Sequence, residues 1–138
     1  MDPTAFVLDA QPIVGAIRQE QVRPIFEGLL ARAARGEIEL RLTVVNAGEV
    51  IYGTERALGA RAGHDALRAL QSWPIVIVPI DLELAARAAW FKLRGGISYA
   101  DCFAAALAHR DGIPVITGDP EFRRVAEDVE IAWVDELA

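Results

Sequence analysis

The chain has 138 residues, 53% of them hydrophobic and 25% charged, with a formal net charge of −6; this is the composition of a folded globular protein and excludes a disordered tail. The length suits one domain over residues 1–138 with a substantial core and is short for two. The negative balance excludes a plain nucleic-acid-binding module, because counterion release rewards basic surfaces.

In chain order, Phe6-Val7-Leu8 predicts a short strand that stops at Asp9. Ile13, Val14 and Ile17 then recur at helical spacing after Pro12. Gln21 to Gly36 reads as an amphipathic helix through Val22, Ile25, Phe26, Leu29, Leu30 and Ala33, with Gly36 in the stop position. Ile38 to Leu42 alternates like a strand, and Val44 to Leu58 and Gly63 to Trp73 read as helices. Pro74-Ile75-Val76-Ile77-Val78 is a β-branched run of the kind buried in parallel sheets. Two more helices, Leu82 to Leu93 and Tyr99 to Arg110, flank Gly95-Gly96. Strand Val115-Ile116-Thr117, a short helix through Phe122 and Val125, and a last strand near Ile131 to Val134 complete the pattern. Strands alternating with helices predict an α/β fold, with a mostly parallel central sheet of four to five strands flanked by helices on both faces.

Other features bound the setting. No stretch stays apolar for the eighteen or so residues of a membrane span. Met1-Asp2-Pro3 is acidic where a secretory signal is basic, so a cytoplasmic location is expected. Cys102, alone, permits no internal disulfide or cysteine metal cluster and reads as a small core residue. All basic residues but Lys92 are arginines; Arg32, Arg35, Arg68 and Arg87 lie at helical spacing among alanines as solvated faces. His64 and His109 fall in helices as structural or surface residues, and Trp90 and Phe91 read as core.

In a parallel sheet every strand ends, and the next helix begins, along one common edge, where ligands bind. Asp9 and Asp119 end two strands. Asp101 lies in the first turn of the helix opened by Ser98, and Glu49 early in the helix after Leu42. Four acids distant in sequence are therefore predicted to converge, and their mutual repulsion exceeds what helix N-termini offset, roughly 0.3–1 kcal/mol each. Each acid also has a capping reading: Asp9 and Asp119-Pro120 as N-caps, Ser98 to Asp101 and Asn46 to Glu49 as capping boxes. Capping does not account for their company between apolar segments, so position and neighbours together favour a metal site. Carboxylates without His or Cys suit Mg²⁺ or Mn²⁺ over Zn²⁺, and such a site is hydrolytic towards phosphodiesters. P-loop and dinucleotide glycine patterns are missing. So are the second Asp of haloacid-dehalogenase-like phosphatases, where Gln11 stands, and the late Lys of receiver domains.

Four stretches, taken in order, resemble a known signature: Val7-Leu8-Asp9-Ala10, Asn46-Ala47-Gly48-Glu49-Val50-Ile51-Tyr52-Gly53, Tyr99-Ala100-Asp101-Cys102-Phe103-Ala104-Ala105-Ala106-Leu107-Ala108, and Thr117-Gly118-Asp119-Pro120-Glu121-Phe122. This order is similar to that of PIN-domain ribonucleases, in particular the VapC toxins of bacterial toxin–antitoxin pairs. The resemblance implies a Mg²⁺-dependent endoribonuclease in which Asp9, Glu49, Asp101 and Asp119 form the catalytic, metal-holding quartet. Asp9 and Asp101 are expected as direct ligands, Glu49 and Asp119 as holders of coordinated waters, and Asn46 and Thr117 as polar support. Gln11 and Asn46 depart from the Ser or Thr often found at these positions. The resemblance also implies an RNA substrate, a homodimer, and an antitoxin that lays a basic side chain among the acids. Arg18, Arg94, Arg123 and Arg124 are the rim arginines offered to RNA. Two alternatives remain on the residues alone: a catalytically silent PIN-like module that binds a basic peptide, and a PIN nuclease of RNA maturation outside any toxin pair.

Overall fold

A computed structural model describes residues 2–137. In chain order the elements are β1 (Ala5–Leu8), α1 (Ala10–Ile17), α2 (Arg23–Ala34), β2 (Glu39–Thr43), α3 (Val44–Leu58), α4 (Ala60–Ser72), β3 (Ile75–Val78), α5 (Leu82–Leu93), α6 (Tyr99–Asp111), β4 (Val115–Thr117), a 3-10 helix (Pro120–Val125), β5 (Ile131–Trp133) and a second 3-10 helix (Val134–Leu137). The five strands pair in the order β3-β2-β1-β4-β5, all parallel. The expected α/β architecture is thus the observed one.

Period-two alternation divides the core. Phe6 and Leu8 of β1, Leu40 and Leu42 of β2 and Ile116 of β4 pack on one face with α1, α2 and α4. Val7 and Val115 face the other way, onto Leu84, Ala88 and Phe91 of α5 and the buried run Cys102 to Ala108 of α6. Small side chains on α6 let this helix lie close to the sheet. Cys102 is buried there, and burial pushes its thiol up to about 11, in keeping with a core residue and not a nucleophile.

From β1 the chain builds outward in one direction through β2 and β3 and in the other through β4 and β5. The carboxyl ends of β1 and β4 therefore flank the point where the winding reverses, which is where open α/β sheets bind ligands. Main-chain bonds from Val7 N–H to Pro114 O (2.9 Å) and from Asp9 N–H to Ile116 O (3.0 Å) fix the register of the two strands there.

Several element boundaries differ from expectation. Helix α2 begins at Arg23, with Pro24 in its first turn, instead of Gln21. Helix α4 begins at Ala60, not Gly63, because Gly59 with φ of 100° breaks the chain sharply after α3 and lets the next helix start at once. Strand β3 is an edge strand and not a buried one: Val76 and Ile77 are 48% and 37% exposed. Its β-branched run reads the same at an edge as in the middle of a sheet. Trp90 is half-exposed, whereas its neighbour Phe91 is fully buried.

Candidate metal centre

Each acid reaches the sheet edge by a local device. Asp9 caps α1, its Oδ1 accepting from Ala10 N–H at 2.8 Å. Its Oδ2 accepts from the hydroxyl of Thr117, the last residue of β4, at 2.8 Å. Ser98 caps α6 by accepting from Asp101 N–H at 3.2 Å, which sets Asp101 in the first turn. Asp119 caps the 3-10 helix through Glu121 N–H at 2.9 Å. The capping readings of Asp9 and Asp119 and the metal reading are compatible, since both residues cap and still place an oxygen within 4.8 Å of those of neighbouring acids.

Asn46 does not cap α3; Thr43 does, accepting from Asn46 N–H at 3.0 Å. Asn46 is instead a fully buried linker. Its amide donates to Glu49 Oε1 at 2.9 Å and to the carbonyl of Ala100 at 3.0 Å, and its Oδ1 accepts from Thr43 at 2.5 Å. Helices α3 and α6 are thus tied together one residue before Asp101. Gln11 accepts from Gly118 N–H at 3.0 Å, bracing the turn that carries Asp119. A Cβ at Gly118 would stand 3.0 Å from Gln11 Oε1, so the two approach closely and a larger residue there would push the Gln11 side chain aside.

One oxygen each from Asp9, Glu49 and Asp101 lies within 4.8 Å of the others, and Asp101, Asp119 and Glu121 form a second such group. The four expected acids do converge, but as two groups sharing Asp101. Glu121 belongs to the second, and nothing in its sequence position marks it apart from Asp119 two residues before. All five line one cleft of about 430 Å³ together with Glu20 and Arg18. Six carboxylates therefore face a single guanidinium, and Arg18 itself pairs with Glu20 at 3.5 Å. Among the described residues none of the five clustered acids makes an ion pair.

The electrostatic cost is visible at Asp9, Glu49 and Asp101. Asp9 is 1% exposed; burial, then the Asp101 charge, pushes its carboxyl well above the usual range, against the opposing bond from Thr117. Burial also raises Glu49, with Asn46 opposing, and raises Asp101, with Ser98 opposing and the charges of Asp119 and Glu121 adding to the rise. Helix dipoles of about 0.3–1 kcal/mol each do not balance three adjacent carboxylates. A divalent cation does, and a set of hard oxygen donors with a braced second layer fits Mg²⁺ or Mn²⁺.

Of the arginines expected at the rim, Arg18 alone lines the cleft. Arg94 is paired with Asp128 and Glu127, Arg123 lies over the Trp133 ring at 5.6 Å, and Arg124 packs against Gly96. His64 and His109 are exposed on α4 and α6, away from the cleft. The reading missed Tyr52, an exposed aromatic that lines it.

Comparisons with known proteins bear on the family and the fold. The PIN domain family model matches residues 6–128. No curated protein matches the sequence significantly. Among solved structures, a DNA-bound VapBC from Salmonella typhimurium superposes with a TM-score of 0.72 at 20% identity, covering 93% of this chain and 96% of that one. The Sarcin-Ricin loop cleaving toxin VapC20 of Mycobacterium tuberculosis gives 0.71 at 18%, covering 91% and 98%. VapBC-5 of the same organism, from the VapBC family of toxin-antitoxin systems, gives 0.63 at 21%, covering 94% and 97%. At these identities the likeness is one of fold.

Proposed function

The chain belongs to the PIN-domain family, and we propose that it is a divalent-metal-dependent endoribonuclease, the toxin of a toxin–antitoxin pair. The observation that carries this reading is the group of oxygens from Asp9, Glu49 and Asp101 at the switch point of the sheet, with no cation paired to them among the described residues. Asp9 and Asp101 would hold Mg²⁺ or Mn²⁺ directly, Glu49 and Asp119 would hold its coordinated waters, and Glu121 stands beside Asp119 on the exposed side of the group. Bound there, the ion supplies an activated water and offsets charge developing on the phosphodiester.

The chain's own residues do the rest. Thr117 and the Ala10 amide hold both oxygens of Asp9, so that carboxylate cannot swing away from its partners. Asn46 holds Glu49 from below. Asp119 has Oδ1 engaged by the Glu121 amide, which leaves its second oxygen as the one that could take a proton from a water in the cleft. These roles are assigned to one nuclease domain working in the cytoplasm.

The cleft also accounts for a partner. Six carboxylates against Arg18 attract a basic segment, and we assign that role to a small antitoxin whose Arg or Lys enters among the acids. The VapBC likeness supports this pairing. A second copy of the chain completes the assembly through the exposed apolar side chains of α5: Leu82, Trp90 and Leu93.

Purified protein incubated with total RNA, with Mg²⁺ or with EDTA, followed by mapping of the new ends, tests the reading. Discrete cleavage in Mg²⁺ alone is expected. Intact RNA under both conditions rejects it, and binding of a basic peptide without any uptake of Mn²⁺ would establish the silent module instead.

A further inference from the structure

Helix α3 carries more than Glu49 into the cleft. Glu49, Tyr52 and Arg56 follow one another at i, i+3 and i+7 and so share a helix face. At 1.5 Å per residue, Tyr52 lies about 4.5 Å and Arg56 about 10.5 Å beyond Glu49 along the axis. Tyr52 is 52% exposed and is the aromatic side chain among those lining the cleft. The Arg56 guanidinium carbon stands 5.5 Å from the centre of its ring. Arg56 is exposed and makes no ion pair among the described residues. Beside them Gly53 closes against Val14 of α1, where a Cβ would already be 3.4 Å from Val14 Cγ2.

We propose that Tyr52 and Arg56 form a platform that seats a base and a phosphate of single-stranded RNA beside the acidic centre. The proposal rests on the ribonuclease reading and names the part of the substrate held next to the reacting phosphodiester. A cleft with six carboxylates repels an anionic strand everywhere except at its metal, so the strand must be held there by something other than charge. Base stacking on an aromatic ring is such a force and is indifferent to sequence, and an adjacent guanidinium adds both a stacking plane and a phosphate contact. Single strands and loops expose base faces; a duplex does not. At the ring itself, as opposed to among the acids, a basic side chain is the poorer occupant, because Arg56 already stands there and repels a second cation.

The test uses a random-sequence single-stranded RNA pool and the variants Tyr52→Phe, Tyr52→Ala and Arg56→Gln. Tyr52→Phe keeps the ring and drops the hydroxyl that bonds Glu49, and against it Tyr52→Ala loses roughly a further tenfold in kcat/KM, carried mainly by KM. Arg56→Gln makes the salt dependence of binding shallower by about one phosphate contact, a slope change of roughly 0.7 for a single strand. Binding of the same pool is also measured in the Asp119→Asn background, with and without Tyr52→Ala; a weaker complex on loss of the ring is expected. Equal kcat/KM for wild type and Tyr52→Ala overturns the proposal while leaving RNA cleavage intact. If the wild type cleaves no RNA, the ribonuclease reading fails, and equal affinities in the binding arm overturn the platform separately.

Discussion

The hydroxyl of Thr117 joins two of the acids that meet at the sheet edge: it donates to Asp9 Oδ2 at 2.8 Å and accepts from the Asp119 amide at 3.0 Å. A single buried oxygen at the end of β4 thus orients the deepest carboxylate and the turn bearing Asp119.

Thr117→Val keeps the shape of this side chain and removes both bonds. The buried Asp9 carboxyl loses one of its two donors and the Asp119 amide loses its acceptor, for an expected loss of about 1–3 kcal/mol in metal-free stability. Thr117→Ser restores most of it. Urea unfolding of the three proteins at fixed pH checks the order; equal midpoints for Val and Thr would show that the bonds carry no net stability.

Asn46→Ala separates support from ligation. Asn46 contributes no oxygen to the acidic group, yet its amide holds both Glu49 and the Ala100 carbonyl. Loss of such an outer contact is expected to weaken metal affinity by about 10- to 100-fold while leaving the direct ligands in place. Calorimetric titration with Mn²⁺ measures it, and unchanged affinity would reduce Asn46 to a purely structural tie.

Stability of the metal-free protein should fall as pH rises. The carboxyls of Asp9, Glu49 and Asp101 titrate higher in the folded chain than in the unfolded one. Their contribution is therefore complete below the ordinary carboxylate range and is lost as pH climbs through the raised folded-state values. Asp111, lowered by Arg110 and Arg41 against its burial, pulls the other way, so the difference between wild type and Asp9→Asn isolates the cluster. At neutral pH Asp9→Asn is expected to be the more stable of the two without metal. Saturating Mn²⁺ reverses that order, since it binds the deprotonated wild-type group. Thermal unfolding across pH 4–8 reads both effects, and a wild type that gains stability relative to Asp9→Asn as pH rises without metal would contradict the sign.

Much of this was legible in the chain because its devices are local. Asp9 follows an apolar run, Ser98 precedes Asp101 by three residues, and Pro120 follows Asp119, so both the elements and the edge they meet at could be read. What escaped depended on contacts across the fold. Thr43, a favoured cap residue directly before the helix read from Val44, is the local sign that it and not Asn46 caps α3; that the buried amide of Asn46 is claimed by Ala100, 54 residues away, had no local sign. The division of the acids into two groups around Asp101, and the entry of Glu121 and Glu20 into the cleft, follow from the turn after β4 and from the segment between α1 and α2. Arg94 and Arg123 looked available until Asp128 and Trp133 were placed beside them. A β-branched run cannot announce that no sixth strand lies outside it, as β3 shows.

Uptake of Mn²⁺ by wild type and by Asp9→Asn, followed through the electron paramagnetic resonance of the free ion at neutral pH, bears most directly on the shared-cation centre. The wild type should take up at least one ion per chain, and Asp9→Asn, with an unaltered circular dichroism spectrum, should bind it at least tenfold more weakly. A wild type that leaves Mn²⁺ free in solution, or an Asp9→Asn protein that binds it as tightly, would contradict the account.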